Sequence, residues 1–533
     1  MLNLKIKPNL SKIKKKGGGG NLFYLISFLE GGVVMVTELA GARILAPFFG
    51  SSLYSWAATL SITLLALMTG YYTVGYATTK RKTSTPKAIF LVFLISGLMV
   101  MLQPSLGRTV MQETIQLPFF TGIIISQLIF LFPPVFLMGM MSPMIIAQIN
   151  QTVQRAGKSA GNIYAISTFG GILFTLLFGF LIIPEYGISL PVILLGAFVI
   201  LFSSVLLLRQ KISVPMGLVL ALIILAQFRQ AYVSYQEYSP IHAKGESLVE
   251  YSEGLLGEIS ISNQNLKSPD GRPFKARMLK VNNVMQNQAV LNYPKASLVY
   301  YVNFIRNLVG QLPKKESALI VGLGAGNIYS DMQLYNIDVE TVEIDQRIYD
   351  YGVKYFKMKP HPEKSHITDG RYFINTAQKQ YDIIVLDVIV GENVAKQLVT
   401  LESFKKMYNL LPDQGTLIIE HGGIQDFSKN KFVPSLHKTL GQAGFEVSMF
   451  NPVKAPNNRY GDVLFVATKN KPIDKNNIFV AEDMLLSAGP ISQYEVFFND
   501  FDTSVPAELL TDDKNKTDLL LRDHYLHIRE KRK

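Results

Sequence analysis

The chain has 533 residues, 48% hydrophobic and only 17% charged, against about 25% charged in ordinary soluble domains. It contains no cysteine, which excludes a disulfide framework, a thiolate-held zinc or iron–sulfur site and a cysteine nucleophile. Its net charge of +12 divides unevenly: residues 1–230 hold 17 Lys+Arg against 4 Asp+Glu, a balance of +13, and the rest holds 35 against 36, a balance of −1.

The first twenty residues, MLNLKIKPNLSKIKKKGGGG, carry six lysines and end in four glycines. Residues 1–20 read as a flexible basic arm. Apolar runs follow at Leu22–Leu39, Leu53–Ala77, Ala88–Leu102, Phe119–Met141, Ile163–Ile183 and Ile188–Leu208, with a shorter one at Val214–Ala226. A bilayer core of about 30 Å needs about 20 helical residues. Residues 21–228 are therefore expected to form a multipass α-helical domain of six to seven helices, with a lipid bilayer as partner. The runs at Ala88–Leu102 and Val214–Ala226 are short for a crossing.

The basic residues sit in loops between these runs, not on a folded basic face, so no nucleic-acid partner is expected. Lys80, Arg81, Lys82, Lys87, Arg155, Lys158, Arg209 and Lys211 fall in the even loops, and only Arg43 and Arg108 in the others. That bias puts the arm on the cytoplasmic side of a cell membrane. Seven crossings would place the C-terminal half outside, whereas the nucleoside chemistry argued below wants it in the cytoplasm. One short run is therefore expected not to cross. Glu30 and Glu38 lie inside the first run. Pairing of Glu38 with Arg43 is the plain reading, and a polyamine or proton path the sharper one.

Residues 229–244 read as a connector, 245–290 as a small β subdomain, 291–470 as a nucleoside-binding domain and 471–533 as a charged tail ending in a surface helix. Ala318–Val321 is a short apolar run suited to a buried parallel strand. It enters Gly322-Leu323-Gly324-Ala325-Gly326, where glycines permit a tight turn and close approach of a ligand. A second strand, Val339–Val342, ends at Glu343, whose carboxylate can accept from both ribose hydroxyls. Asn327 stands where a dinucleotide fingerprint needs its third glycine, so a pyrophosphate site is not supported. The spacing fits the Rossmann-like α/β fold of S-adenosylmethionine-dependent transferases. Asp369 and Gly370 follow a short strand at His366–Thr368, and Asp387 ends the strand Tyr381–Leu386. Ligands of open α/β sheets bind beyond such strand ends, and Asp369 could accept from an adenine amine.

These segments carry a resemblance. VGLGAGN, VEIDQRI, TDGRYF and IIVLDVIVGENVAKQLVTLESF, with EGLLGEISI and ARMLKVNNVMQ upstream, resemble the spermidine synthase family of polyamine aminopropyltransferases. TELAGARILAPFFGSSLYSW and AGNIYAISTFGGILFTLLFGFLIIPEYGI resemble its membrane-fused branch. The resemblance implies transfer of an aminopropyl group from decarboxylated S-adenosylmethionine to a polyamine-like amine. The donor is a co-substrate, and no permanently bound cofactor is implied. By position, Gln286 and Glu343 would touch the nucleoside with the turn of Gly322 and Gly324, and Asp369 and Gly370 the adenine. Asp387 would be the first acid of the family's D-x-x-D-P pair. Tyr300 and Tyr301 sit where the family offers a side chain to the acceptor, although aromatic core positions are the plainer reading.

Two departures stand out. Ala325 occupies the place of an acid in the glycine turn, and Val390 that of the second acid of the pair. Glu392, two residues on, is expected to supply the missing carboxylate, giving Asp387 and Glu392 as the catalytic pair. A methyltransferase or other S-adenosyl transferase remains an alternative, as does a transporter or sensor that binds without turnover. No metal is expected, since His524 and His527 have no evident partner ligands. A homo-oligomer is left open.

Overall fold

The computed structural model describes residues 19–49, 53–80, 85–114, 116–149, 156–212, 246–254, 257–268, 271–390, 393–423, 430–452, 461–483, 485–497, 506–513 and 515–521. The basic arm up to residue 18, the run Val214–Ala226, the connector, Glu392, His524 and His527 lie outside the described residues.

The first half is helical: α1 (Gly19–Phe49), α2 (Leu53–Lys80), α3 (Pro86–Thr114), α4 (Phe119–Phe130), α5 (Phe132–Ile149), α6 (Ala156–Leu177), α7 (Ile183–Tyr186) and α8 (Ser189–Arg209). A π turn at Phe178–Ile182 joins α6 to α7. Six of these stretches are long and apolar enough to cross a membrane. The run at Phe119–Met141 is not one helix. It breaks at Leu131, and Pro133 and Pro134 fall in the first turn of α5, where missing N–H groups cost nothing. Conversely, the short run at Ala88–Leu102 belongs to a helix of 29 residues. The helix continues through polar positions because they find partners: Gln103 Nε2 donates to the Thr37 carbonyl at 2.9 Å, and Arg108 reaches the second half of the chain.

Glycines set the closest helix contacts, as packing between apolar helices requires. A Cβ on Gly31 of α1 would lie 1.9 Å from the Ser167 carbonyl oxygen, and one on Gly170 of α6 would lie 2.0 Å from that of Phe28. Glu30 is 2% exposed and accepts from Ser167 Oγ at 2.9 Å and Ser142 Oγ at 3.4 Å. The expected Glu38–Arg43 pair does not form among the described residues. A five-residue offset puts two side chains about 140° apart around a helix.

The second half has two sheets. The smaller is an antiparallel meander, β1 (Glu246–Gly254), β2 (Gly257–Lys267), β3 (Pro273–Val281), β4 (Val284–Val290) and β5 (Tyr293–Ser297). The larger contains β6 (Ser317–Val321), β7 (Asp338–Glu343), β8 (Ser365–Ile367) and β9 (Ile383–Leu386), then a two-stranded pair, β10 (Ile389–Val390) and β11 (Asn393–Val394), that stands apart. It is completed by β12 (Thr416–Gly423), β13 (Glu446–Phe450), β14 (Gly461–Thr468) and, after a short pair β15 (Phe479–Val480) and β16 (Gly489–Pro490), by β17 (Glu495–Val496). The order is β17-β13-β14-β12-β9-β6-β7-β8. The run β12-β9-β6-β7-β8 is parallel, and β14, β13 and β17 are antiparallel. Helices cover both faces: α9 (Tyr300–Gln311), α10 (Asn327–Gln333), α11 (Gln346–Phe356), α12 (Gly370–Thr376), α13 (Leu401–Leu410) and α14 (Phe432–Gln442), with α15 (Thr517–Leu520) near the end. This is the expected Rossmann-like fold.

The segment beyond Lys471 differs from the solvated tail expected of it. Ile478, Val480, Leu486, Ile491 and Tyr494 enter the core beneath α9, and Val496, Leu510 and Leu521 enter the opposite one. Its apolar residues are spaced too irregularly to show a period, because they reach the core from turns and two-residue strands.

The small sheet rests on one end of the helical half. α1 lies parallel to α6 (Ser27 beside Ile163, Gly31 beside Ser167) and to α3 (Thr37 beside Gln103, Ile44 beside Gly107), whereas α8 runs antiparallel to α3, with Gly97 against Val199 and Gly196 against Met101. β1 touches Arg108 near the end of α3 and Ser189 at the start of α8. Lys87, Lys158 and Arg209 mark the opposite end, where α3 and α6 start and α8 finishes.

Packing through Gly170 makes a direct prediction. Gly170→Leu should lower the unfolding temperature of the purified chain in detergent by several degrees. Gly161→Ala on the same helix, where a Cβ meets nothing within 4 Å, should leave it unchanged.

Candidate functional site

The glycine turn leaves β6 with positive φ at Gly322 (88°), Gly324 (52°) and Gly326 (76°). The three have different duties. A Cβ on Gly322 would lie 1.8 Å from the Asp387 carbonyl oxygen, and one on Gly326 would lie 2.3 Å from Met358 Sδ. Both glycines serve packing. Gly324 has nothing within 4 Å of its Cβ position, so here a ligand can approach the backbone. Gly326 was not among the expected site residues, yet its left-handed conformation caps α10. Ala325 is 1% exposed and packs with Ile259, Ile261, Leu279 and Val281 of the small sheet. An apolar residue suits that place.

Glu343 ends β7 beside this turn and is 6% exposed. Its Oε2 accepts from the Leu323 N–H at 3.0 Å. Its Oε1 accepts from the N–H groups of Ile344 at 2.8 Å and Asp345 at 3.0 Å. Burial pushes the carboxyl up to about 7, against the pull of these N–H groups. Asp369 is half-buried and caps α12, accepting from the Tyr372 N–H at 3.0 Å. Gly370 has no room for a side chain, since a Cβ would lie 2.7 Å from Val321 Cγ1. Gln286 lies on β4 of the small sheet, with Nε2 donating to the Val284 carbonyl at 3.4 Å.

Asp387 follows β9 and accepts from the Tyr301 hydroxyl at 3.1 Å. Tyr301 therefore belongs both to the core beneath α9 and to the site. Tyr300 is half-buried against the same core and makes no hydrogen bond among the described residues. The backbone of Val390 lies in β10.

Two carboxylates that sequence reasoning missed join Asp387. In the parallel register Ile419 pairs with Leu386, so Glu420 stands next to Asp387. Asp462 pairs with Gly422 across the antiparallel ladder. Paired residues share a face and residues two apart return to it, so Asp387, Glu420 and Asp462 all point to the α9 side of the sheet. Burial, and the negative charge of the neighbours, push Glu420 and Asp387 up from the ordinary carboxylate range, while the Tyr301 hydroxyl pulls Asp387 the other way. Burial also raises Asp462. Among the described residues none of the three has an ion-pair partner. Glu420 was legible in principle, because Leu417-Ile418-Ile419 is a buried run ending in an acid, as at Asp387. Asp462 starts an antiparallel strand and needed the register.

A parallel sheet with a glycine turn, an acid ending the next strand and carboxylates at the following strand ends has the fold of the S-adenosylmethionine-dependent transferase type. Within that class, residues 299–477 match the spermine/spermidine synthase domain, and the chain carries this domain in its C-terminal half. It is 22% identical over 433 residues to polyamine aminopropyltransferase 2 of Aquifex aeolicus, covering 79% of this chain and 83% of that protein. It is 33% identical over 133 residues to the polyamine aminopropyltransferase of Vibrio vulnificus, 24% of this chain and 44% of that relative. The structure of a probable spermidine synthase from Corynebacterium glutamicum aligns with 51% of this chain and 97% of that one, at TM-score 0.39 and 15% identity.

The position of Glu343 predicts a pH dependence. Burial pushes its carboxyl up to about 7, and a ligand whose hydroxyls donate to the carboxylate favours the ionised form. Binding therefore favours loss of the proton, and affinity rises with pH. Calorimetry should show methylthioadenosine binding about tenfold more tightly at about pH 8 than at about pH 6. The slope should vanish in Glu343→Gln.

Proposed function

We propose that the chain is a membrane-bound aminopropyltransferase that moves an aminopropyl group from decarboxylated S-adenosylmethionine to a polyamine-like amine. The observation that carries this reading is the trio Asp387, Glu420 and Asp462, with Glu420 buried and the other two half-buried, on one face of the sheet at the strand ends beside the glycine turn. Three neighbouring carboxylates partly withdrawn from water repel one another, and an ammonium group relieves both the repulsion and the desolvation. Glu343 and the turn at Gly324 hold the nucleoside, with Gln286, Asp369 and Gly370 as further contacts. Tyr301 and Tyr300 face the acceptor side.

The chemistry follows from this arrangement. An acceptor ammonium has a pKa near 10, like lysine, and must lose a proton before attack. Its nitrogen lone pair then forms a bond to the aminopropyl carbon next to the sulfonium. The carbon–sulfur bond breaks and its electron pair stays on sulfur, giving neutral methylthioadenosine. The carboxylates hold the cation in line and take up the released proton. Asp387 is the fixed member, and Glu392 is the expected second acceptor in place of Val390. Glu420 and Asp462 supply the negative charge that Ala325 and Val390 do not.

The domain division is part of the proposal: an arm at 1–20, helices at 21–228, a connector at 229–244 and the transferase beyond, with residues 471–521 now included in it. The helical half lies in a cell membrane. The transferase faces the compartment opposite the lysine-rich loops.

Purified full-length protein with decarboxylated or ordinary S-adenosylmethionine and a panel of amines tests the activity. Methylthioadenosine is the expected product, and S-adenosylhomocysteine would show a methyltransferase instead. Glu420→Gln and Asp462→Asn should each raise the amine KM roughly 10- to 100-fold while donor affinity stays constant. Glu392→Gln should lower kcat by roughly 10²- to 10⁴-fold. Sidedness is tested in the cysteine-free chain. Lys158→Cys and Lys471→Cys should react with an impermeant thiol reagent from opposite faces of the membrane, and labelling from one face would overturn the placement.

A further inference from the structure

Glu253, the penultimate residue of β1, is the point at which the transferase half grips the helices. Its Oε2 accepts from the N–H groups of Ile188 at 3.1 Å and Ser189 at 2.8 Å. Its Oε1 accepts from Ser189 Oγ at 2.9 Å and from the Tyr251 hydroxyl at 3.1 Å, and is ion-paired with Arg108. Glu253 thus caps α8 from another part of the chain, at the end of a helix where an anion is favoured. Arg108 also bonds Glu258 Oε1, at 3.0 Å. Burial alone would raise both carboxyls. The guanidinium of Arg108 and the N–H groups at the start of α8 hold Glu253 below the usual range, whereas Glu258 is pushed up. One arginine from α3 therefore answers two buried acids of the β1–β2 hairpin.

The same hairpin grips the segment after β7 from its other side. A Cβ on Gly254 would lie 2.6 Å from Arg347 Cζ, so the hairpin backbone lies flat on this guanidinium. Arg347 donates to the Gly257 carbonyl at 3.3 Å and to Ser252 Oγ at 3.3 Å. Its other edge forks onto Asp345, with Nη2 at 2.6 Å from Oδ2 and Nε at 3.0 Å from Oδ1. Such a planar, two-point pair fixes direction as well as distance. The Asp345 N–H in turn donates to Glu343 Oε1 at 3.0 Å. A continuous set of polar contacts therefore runs from α3 and α8, through the hairpin, to the acid that ends β7.

We propose that Arg108, Glu253 and Arg347 are positioning residues for the nucleoside site, so that the helical half forms part of the apparatus that holds Glu343. This rests on the reading of Glu343 as the nucleoside carboxylate. The trio at Asp387 lies on strands that this set of contacts does not touch. Loosening the hairpin is expected to weaken the nucleoside and spare the amine, and a shift of α3 against α8 acts on donor affinity alone.

The test uses the full chain in detergent, with methylthioadenosine and putrescine as separate calorimetric probes. Arg108→Met and Arg347→Met should each weaken methylthioadenosine roughly tenfold and leave putrescine affinity unchanged. The double variant should lose less than the product of the two, because both act through one hairpin. Arg108→Lys keeps the charge without the guanidinium and should lie between, and it decides the matter if Arg108→Met does not fold. Unchanged methylthioadenosine affinity, equal loss of both probes or fully multiplicative effects would overturn the inference. If the unaltered chain binds no methylthioadenosine, the nucleoside reading falls and this one with it.

Discussion

Glu343 has almost no contact with water, and its two oxygens are answered by three backbone N–H groups, those of Leu323, Ile344 and Asp345. A carboxylate removed from solvent without donors is far too costly to persist. The glycine turn and the start of the segment after β7 are therefore folded around this one side chain. The turn has to deliver the Leu323 N–H, which requires the positive φ at Gly322 and Gly324. The following residues have to curl back to deliver two more N–H groups. The geometry that satisfies the carboxylate also creates the open surface at Gly324.

The other buried acids follow the same rule with different partners. Glu253 is answered by an arginine and the free N–H groups at the start of α8, and so serves as a joint between the two halves. Asp382 is answered by the N–H groups of Glu316 and Ser317 and fixes the entry to β6. Glu30, among the helices, is answered by two serine hydroxyls. Asp387, Glu420 and Asp462 stand apart, since among the described residues the Tyr301 hydroxyl is the donor that meets this group of three carboxylates.

The two halves satisfy their backbones in different ways, and this determines how they can meet. The helices close their hydrogen bonds internally and pack through glycines, so they offer a partner only their ends and a few polar side chains. The small sheet uses those offers: a terminal pair of N–H groups and Arg108. The polar contacts that join the halves among the described residues are electrostatic and directional.

The sequence by itself determined the composition of each half, the helical and Rossmann-like classes, the glycine turn, and Glu343, Asp369 and Asp387 at strand ends. These are local properties: apolar run length, a cluster of glycines, an acid directly after a buried strand. Tertiary structure decided what depends on register and contact between distant segments. Asp462 reaches Asp387 only through two ladder pairings, and Tyr301 joins the site only because α9 covers that face. The helix that holds Ala88–Leu102 runs on because Gln103 and Arg108 find partners at Thr37 and Glu253, so no hydropathy window could set its length. Residues beyond Lys471 enter the core from irregular turns that leave no period in the sequence. The end of the bundle on which the transferase rests was fixed by the direction of α3 and α8 and by one ion pair between Arg108 and Glu253, 145 positions apart, where charge counting by loop carries no information.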